Sequence, residues 1–125
     1  MEVNTISPPV NCFLQVKLDQ EVVDYLWKII NTAKTENINI KNTLIGNISQ
    51  SLKLDDQENY FYKSVCIPLV KYYRENNLKG GDPVSQNALL GPESSLVLNS
   101  LWVNYQYQTE FNPYHDHTGV YSFAI

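Results

Sequence analysis

Between residues 19 and 34 the apolar side chains return every three or four positions, at Val22, Leu26, Ile29, Ile30 and Ala33. That spacing lines them along one side of an α-helix, and Asp19 immediately before it is a natural N-cap. A stripe of this width must be buried against another element, because a lone amphipathic helix gains little in water. Candidate partners flank it on both sides. Residues 10–18 alternate, with Val10, Cys12, Leu14, Val16 and Leu18 on one face, as a strand would. Residues 101–108, LWVNYQYQ, alternate again and are rich in aromatic and β-branched side chains. Trp102, Asn104, Gln106 and Gln108 fall on one face of that strand, and Val103, Tyr105 and Tyr107 on the other. The helix is expected to cover a sheet, with Trp27 packed at its rim.

The rest of the chain punctuates these elements. Residues 1–9 show no periodicity and end in Pro8-Pro9, which suits a tether or an edge segment. Residues 36–42 are polar and read as a loop, and residues 43–54 as an extended crossover or strand pair around Gly46. The acidic run Asp55-Asp56-Gln57-Glu58 precedes a second helix, expected over 58–76, with Phe61, Val65, Leu69 and Tyr72 as its stripe. Pro68 should kink that helix or start a new turn. Residues 78–95 hold Gly80-Gly81, Pro83 and Gly91-Pro92, the pattern of a long irregular loop of the kind that forms lids or binding segments. Its KGGDP run is not a phosphate loop, since the Lys precedes the glycines. Residues 94–99 lead into the strand at 101–108. Asn112-Pro113 breaks that strand, Thr118-Gly119 makes a turn, and residues 120–125 resume as an apolar strand.

At 125 residues the chain has one domain's length, 1–125, and can bury a modest core. A formal charge of −4 without any Lys/Arg cluster disfavours backbone-phosphate binding, so a nucleic-acid partner is not expected. The tyrosine-rich runs at 60–62 and 71–73 lack the interleaved cations of a base-stacking platform and read as core. No apolar run reaches the length of a membrane span, and the first residues lack a signal peptide's basic start, so a cytoplasmic protein is expected. Cys12 and Cys66 are too few for a disulfide framework or a zinc knuckle and read as buried thiols.

Chemistry concentrates near the carboxyl end. The two histidines of the chain, His115 and His117, stand two residues apart, so an extended backbone directs both imidazoles to one face. That is a two-ligand geometry for a metal, and imidazole suits Fe, Cu, Ni and Zn. Asp116 points the other way unless the backbone bends, in which case it supplies a carboxylate oxygen instead. A lone H-x-H is a weak signal. Ser122 lacks the glycines and the paired base of a nucleophile, and no catalytic acid or base is assigned.

Taken together, W-x-N-Y at 102–105, F-N-P-x-H-x-H at 111–117, a small-residue turn and a Ser-containing apolar strand resemble the Fe(II)/2-oxoglutarate oxygenases common in marine bacteria and their phages. The segment NTLIGNISQSLKL at 42–54 is similar to a stretch those proteins carry upstream, so the resemblance covers the chain from about residue 19 onward. It implies an α+β fold, with two helices packed on part of a double-stranded β-helix of jelly-roll, cupin-like type. It implies Fe(II) and 2-oxoglutarate as cofactors and O2 as co-substrate, with an unidentified primary substrate. It also implies a role for Tyr105, about ten residues before the first ligand, against the 2-oxoglutarate, with Asn104 as a second co-substrate contact from the neighbouring face. The usual pair in this class is H-x-D, and here the third position is His117. Either His117 is the second ligand or Asp116 takes that place through a bent backbone; the strand spacing favours His115 and His117.

A jelly roll needs about eight strands, and this sequence stops inside an apolar one. The expectation is therefore the front half of an oxygenase, without its distal ligand and its carboxylate-holding Arg or Lys. Turnover should be weak, and an exposed sheet edge should be open to homo-oligomer pairing. One rival reading is a non-catalytic, cupin-like metal-binding or structural module, phage-encoded; a second is a truncated, vestigial gene product that merely folds or assembles.

Overall fold

The computed structural model describes residues 1–6, 13–37, 39–40, 47–77, 96–113 and 121–125. These form a mixed helix and antiparallel-sheet structure. The elements run β1 (Glu2–Ile6), β2 (Phe13–Lys17), α1 (Gln20–Glu36), β3 (Gln50–Lys53), α2 (Ile67–Asn77) and β4 (Trp102–Tyr105). β1 pairs with β2 and β3 with β4, both antiparallel, in two separate two-stranded sheets. The coarse α+β expectation is met. A closed eight-strand jelly roll is not laid out among the described residues.

The amino-terminal segment is an edge strand rather than a tether. Val3 lies opposite Val16 and Glu2 opposite Lys17, so an apolar pair and an opposite-charge pair hold the register. Leu14 and Val16 are half-buried while their neighbours are exposed, as the alternation requires. Asp19 occupies the N-cap of α1 with extended backbone angles, and its carbonyl accepts from the Val22 and Val23 amides at 3.0 and 3.2 Å. Its carboxylate makes no capping bond and lies 3.4 Å from the terminal amine of Met1. The helix ends at Asn37, left-handed at φ 54°, whose amide donates to the Ala33 carbonyl at 2.8 Å. Asparagine tolerates that conformation better than most residues.

Val22, Leu26, Ile29 and Ala33 of α1 are buried, and Ile30 packs beside them. They meet Leu52 and Leu54 of the β3 strand and its continuation, Phe61 and Val65 of the second helical region, and Leu101 before β4. Leu52 is fully buried. β3 is central: β4 runs along one side, and an antiparallel bridge from Asn39 to Leu52 occupies the other. Trp27 is 60% exposed and stands outside the core rather than packed at its rim.

The second helix departs from its expected span. Glu58 and Asn59 both have φ 56°, so the helix begins at Tyr60 and not at Glu58. The Asp56 carboxylate accepts from the Phe61 amide at 2.8 Å and the Tyr62 amide at 2.9 Å, satisfying two donors that a helix start leaves open. Residues Tyr62–Cys66 then form a π-helical turn, with the Ile67 amide donating to the Tyr62 carbonyl. Pro68 accounts for it: it has no N–H to give to Ser64, and its ring crowds that carbonyl, so the backbone widens by one residue. The wider turn rotates the apolar stripe. Phe61 and Val65 are buried, Leu69 is half-buried, and Tyr72 is 37% exposed.

Two strand expectations are corrected. β4 covers only Trp102–Tyr105 of the expected 101–108. The described part of 120–125 is not a strand. Instead Phe123 packs its ring on Phe61 at 5.4 Å, and Tyr121 meets Tyr73 edge-on at 6.0 Å, with its hydroxyl accepting from Arg74 Nε at 3.1 Å. Ring contacts with the second helical region take the place of a strand ladder. The expected loop over 78–95 lies outside the described residues.

Candidate metal and co-substrate site

β4 is the described element nearest in sequence to the histidine pair. Its register is set by Ser51 opposite Asn104 and Leu52 opposite Val103. Alternation sends Val103 and Tyr105 towards the core and Asn104 to the other face. Tyr105 is half-buried, and the Lys34 ammonium lies 5.3 Å from its ring centroid, a cation–π contact from the last turn of α1. Its hydroxyl makes no hydrogen bond among the described residues. Asn104 Oδ1 accepts from the Ser51 hydroxyl at 2.7 Å. Ser51 is 1% exposed, so that bond satisfies a buried hydroxyl and commits one end of the Asn104 amide. The NH2 end is what a ligand would have. Asn104 and Tyr105 therefore serve opposite faces of one strand and do not converge on each other.

His115, Asp116 and His117 lie outside the described residues, so the choice between His117 and Asp116 stands as the sequence leaves it. Among the described residues no group of three His, Cys, Asp or Glu side chains is placed to hold a metal. The donor set of the 115–117 run fits Fe(II) by its chemistry, two imidazoles and a carboxylate.

The approach to that run is tightly braced. Residues 107–110 form a turn, with the Glu110 amide donating to the Tyr107 carbonyl at 3.0 Å. Glu110 Oε2 accepts from the Tyr107 amide at 3.0 Å, and Oε1 accepts from both the amide of Ser49, at 3.0 Å, and its hydroxyl. Gln106 Nε2 donates to the Glu110 carbonyl at 2.6 Å. One residue on, Phe111 and Asn47 exchange backbone bonds of 2.8 and 3.3 Å. Sequence reading missed Glu110, because its partner is 61 positions away and no local pattern announces the pair.

A second polar centre lies at the head of the π turn. Tyr25 of α1 donates to Asp56 Oδ1 at 2.8 Å, and its ring lies 4.5 Å from that of Tyr60. Burial, then the Asp56 bond and charge, hold the Tyr25 phenol well above the ordinary tyrosine range. Cys66 is half-buried, and burial followed by the charge of Asp56 pushes its thiol up to about 11. That is the behaviour of a packed thiol, not of a nucleophile. Cys12 lies outside the described residues. A shallow cleft of about 270 Å³ opens between α1 and the end of β3, floored by Ile29, Ala33 and Leu54 with Glu36, Lys53 and Asp55 around it.

Comparison with models of known protein families, with curated proteins and with solved structures found no match to this chain. Among the described residues no helix is long and apolar enough to cross a membrane.

Proposed function

We propose that this chain belongs to a non-haem Fe(II)- and 2-oxoglutarate-dependent dioxygenase of jelly-roll type, acting in the cytoplasm on a substrate yet to be identified. The observation that carries the reading is the order W-x-N-Y followed by F-N-P-x-H-x-H, with both histidines of the chain in the final motif. His115 and His117 hold the metal through neutral imidazole nitrogens. Tyr105 or, from the opposite face of β4, the NH2 end of Asn104 orients the oxo acid, a phenol and an amide each being a donor that adds no charge. When bound, the iron with its oxo acid and O2 supplies the oxidation of a substrate C–H bond; the chain fixes ligand geometry and excludes water. A sheet edge left unpaired among the described residues, such as that of β4 opposite β3, is where a second copy would pair.

The test is anaerobic addition of Fe(II) and 2-oxoglutarate to the whole chain. A visible charge-transfer absorption that His115→Ala abolishes and Tyr105→Phe weakens supports the oxygenase reading. Tight zinc binding with no such absorption overturns it in favour of a non-catalytic metal-binding module.

A further inference from the structure

We infer that the outer edge of β2 is a self-association surface, on which β2 of a second copy of this chain lies antiparallel about Gln15. This narrows the pairing edge to one strand, and it rests on the reading that copies pair at a sheet edge, not on the metal. A sheet of two strands is marginal in water, and three or more with an apolar face are needed. The β1–β2 sheet has two. Its apolar face carries Val3, Leu14 and Val16, all half-buried, and none of them is among the described side chains packed on the core. The hairpin meets that core at Leu18, just past β2. β4 differs, since its Val103 and Tyr105 already pack there. Among the described residues no strand pairs with the outer edge of β2, and that edge is unguarded. Its residues, FLQVK, hold no proline, and their one charge stands at the end.

The strand matches itself. In two copies turned antiparallel about Gln15, Leu14 of each falls opposite Val16 of the other, and a slip of one residue would set apolar against polar side chains. The Val3–Val16 pair then becomes part of an apolar band across four strands. On the other face the charges are complementary as well. Lys17 keeps Glu2 on one side and gains Phe13 of the second copy on the other, a ring that is 53% exposed in the single chain. The two copies of Lys17 stand four positions apart, about 13 Å along the strands, so no like charges are opposed. A contact of five residues from each strand is small beside the roughly 1,200 Å² of a standard interface, so the dimer should be weak and concentration-dependent.

The experiment is sedimentation equilibrium of the whole chain, a 14.4 kDa monomer, from micromolar to millimolar concentration. The parent should pass from monomer to dimer within that range. Gln15→Lys and Gln15→Glu each set like charges face to face on the two-fold axis and should weaken dimerisation about fivefold or more. Gln15 is exposed, so both variants should keep the circular dichroism of the parent. An equal mixture of the two should dimerise at least as well as the parent, a rescue that misfolded variants would not give. Asn4→Lys, on the far strand of the hairpin, should dimerise as the parent does. A parent dimer that ignores charge at residue 15, or that Asn4→Lys weakens instead, overturns the assignment to β2 and leaves the pairing reading standing. A parent that stays monomeric at millimolar concentration removes both.

Discussion

The Tyr25 hydroxyl donates to Asp56 across 31 positions of sequence, at 2.8 Å, and the same carboxylate holds the first amides of the second helical region. This pair ties α1 to the start of that region, beside the apolar contacts of the two. Tyr25→Phe removes a bond to a charged acceptor at a half-buried site and should cost about 1 kcal/mol in urea unfolding.

The same pair makes the fold sensitive to alkali. The folded state holds Tyr25 above the ordinary value near 10, so the folded chain keeps its proton longer than the unfolded chain does. Stability from this group is complete below about pH 10 and declines as pH rises beyond it. Urea midpoints should fall more between pH 9 and pH 11 for the parent than for Tyr25→Phe. Equal declines in the two proteins would contradict the coupling.

Asp56→Ala strips three donors of one acceptor group, the Phe61 and Tyr62 amides and the Tyr25 hydroxyl. A loss of about 2 kcal/mol is expected, more than for Tyr25→Phe. Circular dichroism during urea titration measures it.

Cys66 should react slowly with a neutral alkylating reagent. A thiol with a pKa of about 11 is only about one part in a thousand thiolate at pH 8, against roughly a quarter for an ordinary cysteine. In a Cys12→Ser background the rate of alkylation should keep climbing past pH 9.5. Asp56→Asn, which removes the second cause of the shift, should raise the rate at pH 8.

What the sequence made legible is what repeats over several turns or strand positions. The stripe from Val22 to Ala33 and the alternation of Leu14 with Val16 and of Val103 with Tyr105 each have a periodic signature that burial enforces. What it concealed depends on single long-range bonds or on one misplaced residue. Asp56 caps amides five and six positions ahead because two left-handed residues intervene, a geometry outside the usual capping pattern. The π turn before Pro68 rotates Tyr72 away from the stripe that Phe61 and Val65 begin. The apolar run of residues 120–125 reads as a strand, yet Phe123 covers Phe61 and Tyr121 covers Tyr73 through ring contacts. Of the site, the face occupied by Tyr105 was readable from alternation, whereas the commitment of Asn104 to Ser51 and of Glu110 to Ser49 was not.

The measurement that bears most directly on the central claim is the Fe(II) content of the whole chain after anaerobic equilibrium dialysis, compared among the parent, His115→Ala, His117→Ala and Asp116→Asn. The account predicts one Fe(II) held per parent chain, lost with either histidine and kept by the asparagine variant. Retention of iron in both histidine variants, or none held by the parent, would contradict it.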